Sequence, residues 1–229
     1  MPKASVLTSR YLGPVRRIER VMPPAGGRCL ALTFEDGPTA APPRPDVRKA
    51  RWPGNSHGPA SGVRSGGADG GGSTGITDAI LDVLRTYGAV ATFLVIGSTA
   101  ADDPGEAGPP GAAQREDALA GVENQYALVR RMLNEGHELA NHSSLADSLR
   151  LHELVRRNYG YTMRLARPSH LVDAFAFEVY AGLGYQYLGT GLDGGGWRAT
   201  SGSYDNDVEG MVLGLQRSLE KDGNSLCGQ

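Results

Sequence analysis

Cysteine is almost missing from this sequence. Cys29 and Cys227 are the two in 229 residues, too few for a disulfide framework. Cys29, set at the start of an apolar run, reads as a small core hydrophobe. Charge of one sign is equally scarce: 23 Lys and Arg against 25 Asp and Glu leave a formal net charge of -2, a field too weak to gather nucleic acid or anionic lipid. Arg10, Arg16, Arg17 and Arg20 make the start of the chain locally basic, and residues 1–27 read as a solvated, flexible arm. Long apolar runs are absent as well. The run at 89–97 is strand-length, far below the roughly 20 residues of a membrane-spanning helix. Arg, Glu and Pro interrupt residues 1–24, so no secretory leader is visible; the compartment is left open, cytoplasmic as the sequence stands. Glycine and proline are in excess, at 33 and 14, more than the turns of one domain of this length use, which assigns the surplus to loops.

Residues 28–34 form a short apolar run with β-branched and aromatic members, a buried strand that ends against Gly37 and Pro38. From 40 to 75 hydrophobic periodicity disappears into Pro, Gly, Ser and Arg, and a second such stretch covers 101–117. Both read as flexible insertions, because neither can cover the entropy of ordering itself. Between them, Thr77 can cap a helix carrying Ile80, Leu81, Val83 and Leu84 at helical spacing, closed by Gly88 and followed by a strand at 89–97. Strand, helix and strand in this order imply a parallel, right-handed crossover. Further on, helices are expected at 124–134, 145–157, 171–183 and 207–219, with strands at 137–140, 161–166 and 185–190. The alternation fixes an α/β class and leaves open whether the sheet closes into a barrel or stays doubly wound.

Chemistry concentrates at the strand ends. Glu35 and Asp36 stand together at the mouth of the first strand, where parallel α/β sheets place reactive groups. On a regular strand neighbouring side chains diverge, so one carboxylate would bind a cation and the other address a water. His142 follows the short strand after Gly136, and imidazole with carboxylate makes a partial site for a borderline divalent metal.

In this order the two motifs resemble those of the polysaccharide deacetylases, the NodB-homology or carbohydrate esterase family four, over about residues 28–197. The family's first motif is Thr-Phe-Asp-Asp-Gly-Pro, so the resemblance implies Glu35 as catalytic base, one methylene longer than usual, and Asp36 as metal ligand. Its second motif has two histidines four residues apart; His142 matches the first and Ala146 stands at the second, with Asp147 and His152 as nearby substitutes. Arg167 and Pro168 match the third motif, which implies that Arg167 orients Glu35. Asp193 and Trp197 match the fourth, where Gly196 replaces an Asp, and the fifth motif with its acid histidine has no counterpart before the chain ends.

The resemblance implies a distorted (β/α) barrel, incomplete at its C-terminal side, with an unpaired edge and marginal stability. Residues 1–27 would be an arm and 28–229 the NodB-like domain. It also implies a hydrolase removing N-acetyl or O-acetyl groups from a polysaccharide such as chitin or peptidoglycan, with zinc, or cobalt in its place, held weakly. Tyr161, His170 and Trp197 would line the sugar, and oligomeric state is left open. The alternative is a non-catalytic relative that binds carbohydrate on its aromatic faces. Joining Pro38 and Thr39 directly to Gly75, Ile76 and Thr77 would restore the family's spacing, so the 40–75 stretch also reads as translated non-coding sequence.

Overall fold

The computed structural model describes residues 17–18, 31–41, 75–98, 119–144, 147–169, 180–189, 212–213 and 216–217. Cys29, Cys227, and the 171–179 part of an expected helix lie outside them, as do residues 42–74 and 99–118, which make up nearly all of the two expected insertions. The strands are β1 (Arg17–Ile18), β2 (Thr33–Gly37), β3 (Thr92–Val95), β4 (Glu138–Asn141), β5 (Leu165–Ala166) and β6 (Gln186–Leu188). Among the described residues, three helices have both ends defined: α1 (Ile76–Thr86), α2 (Tyr126–Asn134) and α3 (Ser148–Tyr159). All pairings are parallel, in the order β1-β6-β5-β4-β3-β2. The α/β expectation holds. β1 and β2 form the two ends of the sheet, and among the described residues no pairing joins them to close a barrel. Arg17 and Ile18, inside the stretch expected to be a solvated arm, pair with Tyr187 and Leu188.

Helical spacing explains which faces are covered. α1 buries Thr77, Leu81 and Leu84, α2 buries Leu128, Val129 and Met132, and α3 buries Leu151, Val155 and Tyr159. These stripes at i, i+3 and i+4 pack with Phe93, Val95, Leu139 and Ala166 of the central strands in one hydrophobic core. Phe34 stacks on Phe93 across the β2–β3 pair, with ring centroids 5.3 Å apart. The N-cap of α1 is Gly75 and no side chain caps it. Thr77 instead accepts the Thr39 N–H on its Oγ1 at 2.9 Å, tying the helix start to the chain after Pro38.

That tie closes the first expected insertion at its base. Ile76 N–H donates to the Ala41 carbonyl at 2.8 Å, and a methyl on Gly75 would fall 2.7 Å from the Ala40 Cα. Gly75 therefore lies against the Ala40 backbone, and the two ends of the expected insertion are held side by side. A second close approach sits at Gly121, with φ of +100°, where a Cβ would meet the Gly97 carbonyl oxygen at 2.5 Å. Its N–H reaches the Pro38 carbonyl at 2.8 Å, so this turn clasps the ends of β2 and β3 together.

Charge joins α1 to α2. The Arg131 guanidinium meets Asp78 at 2.7 Å, Asp82 at 2.6 Å and Glu135 at 2.7 Å. Burial alone would lower its pKa, but the hydrogen bonds it donates to Glu135, Asp78 and Asp82 outweigh that and raise it. Behind it, His137 accepts the Ala91 N–H on Nδ1 at 3.2 Å and is almost fully buried. Burial lowers both His137 and His152 from the ordinary 6.5.

Three outcomes are expected. Deleting residues 41–74 and joining Ala40 to Gly75 should leave the circular dichroism spectrum intact and the thermal midpoint equal or higher, because a shorter loop costs less to close. Arg131→Met should cost about 2 kcal/mol in urea unfolding by stranding three carboxylates, with part recovered when Asp82→Asn is added. The unfolded chain takes up protons at His137 and His152 near pH 6.5, while the folded chain does so only at lower pH. Their contribution to stability is therefore complete above that value and is lost as pH falls through the folded values. The thermal midpoint should drop between about pH 7 and about pH 5, and drop less in His137→Asn, which keeps an acceptor for the Ala91 N–H.

Candidate active site

The C-terminal edge of the sheet is irregular at one residue, Asp36. Glu35 pairs with Leu94 and Gly37 with Val95, so Asp36 is an extra residue bulged out of the ladder, with φ of +63°. Asp is among the few side chains that tolerate this left-handed conformation, and a bulge re-aims the side chain it carries. The expectation that Glu35 and Asp36 diverge is corrected here. Asp36 Oδ1 lies 3.5 Å and Glu35 Oε2 3.7 Å from the same atom, His142 Nε2. β2 also runs further than expected, to Gly37, because the ladder resumes after the bulge.

His142 follows the last residue of β4 and is held from three sides. Its N–H donates to the Val95 carbonyl at 2.9 Å, its carbonyl accepts from Ser169 Oγ at 3.2 Å, and its Nδ1 lies 2.8 Å from the Arg167 carbonyl. In the neutral ring that last contact puts the hydrogen on Nδ1 and leaves the Nε2 lone pair facing the two carboxylates. Two acceptors this close have no hydrogen bond to make with each other. Two ligands of one tetrahedral zinc ion, at about 2.1 Å each, would stand about 3.4 Å apart, close to the 3.5 Å between Nε2 and Asp36 Oδ1. A backbone carbonyl on the far ring nitrogen is also the usual support of a metal-ligating histidine. The two donors thus fit a divalent ion held at two points, although among the described residues no group of three or more His, Cys, Asp or Glu makes a fuller cage.

Arg167 follows β5 and is 2% exposed. Its Nε donates to the Leu188 carbonyl at 2.9 Å, Nη2 to the Gly189 carbonyl at 2.7 Å, and Nη1 to Glu35 Oε1. One edge of the buried cation is thus tied to the end of β6, while the remaining donor fixes a half-exposed carboxylate. Glu35 is left with Oε2 toward His142.

Four of the sequence-derived site residues, Glu35, Asp36, His142 and Arg167, meet at this rim. Tyr161 does not. It precedes β5, its hydroxyl accepts the Leu139 N–H at 3.3 Å, and it lines a cavity of about 540 Å³ with His137, Glu138 and Arg130 at the opposite end of β4. His170 and Trp197 lie outside the described residues, as do Ala146, Asp193 and Gly196. Neither suggested substitute for the missing ligand is turned to the site: Asp147 accepts from Ser144 and Arg150, and His152 Nδ1 is taken up by the Tyr185 hydroxyl. Sequence reasoning missed Asn141, Ser143 and Ser169, the polar residues around His142. The one available signal was an Asn placed next to a candidate ligand, directly after the apolar Leu139 and Ala140.

A family model described as polysaccharide deacetylase matches residues 68–158. The peptidoglycan-N-acetylglucosamine deacetylase PgdA of Listeria monocytogenes is 25% identical over 140 residues, which is 61% of this chain and 18% of that protein. The chain thus spans less than a fifth of that relative's length. Among solved structures, the peptidoglycan deacetylase Bd3279 of Bdellovibrio bacteriovorus matches with a TM-score of 0.53 at 16% identity, covering 92% of this chain and 48% of that one. The polysaccharide deacetylase Bc1974 of Bacillus cereus matches with a TM-score of 0.51 at 19% identity, over 83% of this chain and 73% of that one. The solved structures show a shared fold, the α/β fold of NodB-type deacetylases, and the match to the polysaccharide deacetylase model runs from before α1 into α3.

Proposed function

We propose that the chain is a metal-assisted hydrolase that removes acetyl groups from N-acetylated, or O-acetylated, polysaccharide, with activity limited by a ligand set that is one histidine short. The observation that carries this reading is the convergence of Glu35 and Asp36 on one imidazole nitrogen, with Arg167 holding the far oxygen of Glu35. The names of the relatives favour the glycan strand of peptidoglycan over chitin as substrate.

Asp36 and His142 Nε2 would hold the ion, zinc before cobalt for this nitrogen and oxygen pair. When bound, a divalent ion supplies polarisation of the acetyl carbonyl and of a water. Glu35 would accept the proton of the hydrolytic water on Oε2 while Arg167 keeps its other oxygen fixed, so the carboxylate cannot rotate away. Arg167 is itself anchored to two carbonyls, which places its charge before substrate arrives and leaves nothing to reorganise during reaction. No described residue is assigned to protonate the departing amine. The methyl of Ala146 offers no donor, which is the physical ground for weak metal binding and reduced turnover.

Acetate release from peptidoglycan-derived and chitin oligosaccharides with added zinc or cobalt tests the reading, beside zinc titration. Asp36→Asn keeps a residue that tolerates the left-handed conformation while removing the charge; it should weaken zinc at least tenfold with little change in thermal midpoint. Glu35→Gln should lower kcat and spare zinc affinity. Ala146→His should tighten zinc and raise kcat. An Ala146→His protein with wild-type metal affinity would sink this placement of the ion, and saccharide binding without any metal would favour the non-catalytic carbohydrate-binding reading.

A further inference from the structure

Asn141 ends β4, is completely buried, and uses every hydrogen-bonding position of its amide. Its Nδ2 donates to the Ser148 carbonyl at 2.9 Å and to the Tyr185 hydroxyl at 3.2 Å, and its Oδ1 accepts the Ser143 N–H at 3.0 Å and the Ser143 Oγ–H at 2.8 Å. One side chain thus joins the first turn of α3, the residue before β6 and the loop that carries His142. The Tyr185 hydroxyl also contacts His152 Nδ1 on α3, so the amide sits in a network that is itself braced. A buried amide is costly at a strand position where an apolar side chain would pack as well, unless its bonds do something that packing cannot. The contacts of His142 itself come from β3 and from the segment after β5. The residue that follows it, Ser143, is held by Asn141, one position before it.

We infer that Asn141 is a positioning residue of the site. By fixing Ser143 it holds the His142 ring with Nδ1 on the Arg167 carbonyl and Nε2 toward Asp36 and Glu35. This deepens, and rests on, the reading of His142 as a metal contact.

The test uses the full chain with Asn141→Ala and Asn141→Asp, and with Tyr185→Phe, which removes one of the four bonds. Nitrogen-detected imidazole spectra of the metal-free protein should show His142 as one tautomer, protonated on Nδ1, in the wild type and as a mixture in the Asn141 variants. Zinc binding by calorimetry should weaken by about tenfold or more, the usual consequence of removing an outer support of a metal-ligating histidine. Tyr185→Phe should fall between. Folded Asn141 variants that keep the wild-type tautomer and zinc affinity would overturn the inference. If those variants do not fold, an unchanged tautomer in Tyr185→Phe overturns it equally. A wild type that binds no zinc would sink the proposed function alone, because the tautomer comparison needs no metal.

Discussion

The site depends on one backbone irregularity. In a regular strand Glu35 and Asp36 would stand on opposite faces of the sheet, and no choice of rotamer would bring both carboxylates to one nitrogen. The bulge removes that constraint by taking Asp36 out of register between Leu94 and Val95 and into the left-handed region. Its position is itself overdetermined. The Gly121 turn binds the Pro38 carbonyl, Thr77 Oγ1 binds the Thr39 N–H, and the Ile96 N–H binds the Gly37 carbonyl, so the chain directly after the bulge is fixed by three separate elements. A non-glycine residue in this conformation carries a cost of about 1–2 kcal/mol, and such a residue persists where surrounding contacts leave it no alternative.

The buried polar groups behind the rim follow the same logic of support without slack. Arg167 could not be sequestered as a bare cation. Two carbonyls and a carboxylate accept from its three nitrogens, and its own carbonyl sets the tautomer of His142. Glu35 and His142 are therefore not independent. A shift of β6 that released Leu188 and Gly189 from the guanidinium would move Glu35 and His142 together, through one residue.

Much of the fold was readable because periodicity is a burial signal, and α1, α2, α3 and the strands β3, β4 and β6 do bury the faces their spacing defines. Their ends were less readable. Residues 89–91 and 161–164 are apolar enough for strand, yet ladder pairing begins only at Thr92 and Leu165. β1 was not readable at all, since two residues in a basic stretch carry no period. At the site, Glu35, Asp36, His142 and Arg167 were legible through motif resemblance, and their meeting agrees with it. The bulge was not legible, because Asp-Gly-Pro also describes an ordinary turn. Tyr161 was misplaced relative to this rim because an aromatic beside a strand says nothing about which end of the strand it covers.

Chemistry and cohesion occupy opposite ends of the same strands. β4 runs from His137, buried beside the Arg131 network and the Tyr161 cavity, to Asn141 and His142 at the reactive rim. The titrating and ion-paired groups that join α1 to α2 thus sit at the strand's start, separated from the carboxylates by the length of the core. Parallel strands impose this division, since every crossover returns the chain to the same end and leaves the other for loops of free composition. Such a layout lets residues at the rim change without any demand on the helices that hold the domain together. The geometry of the rim itself rests on the bulge at Asp36 and on the anchoring of Arg167 to the end of β6.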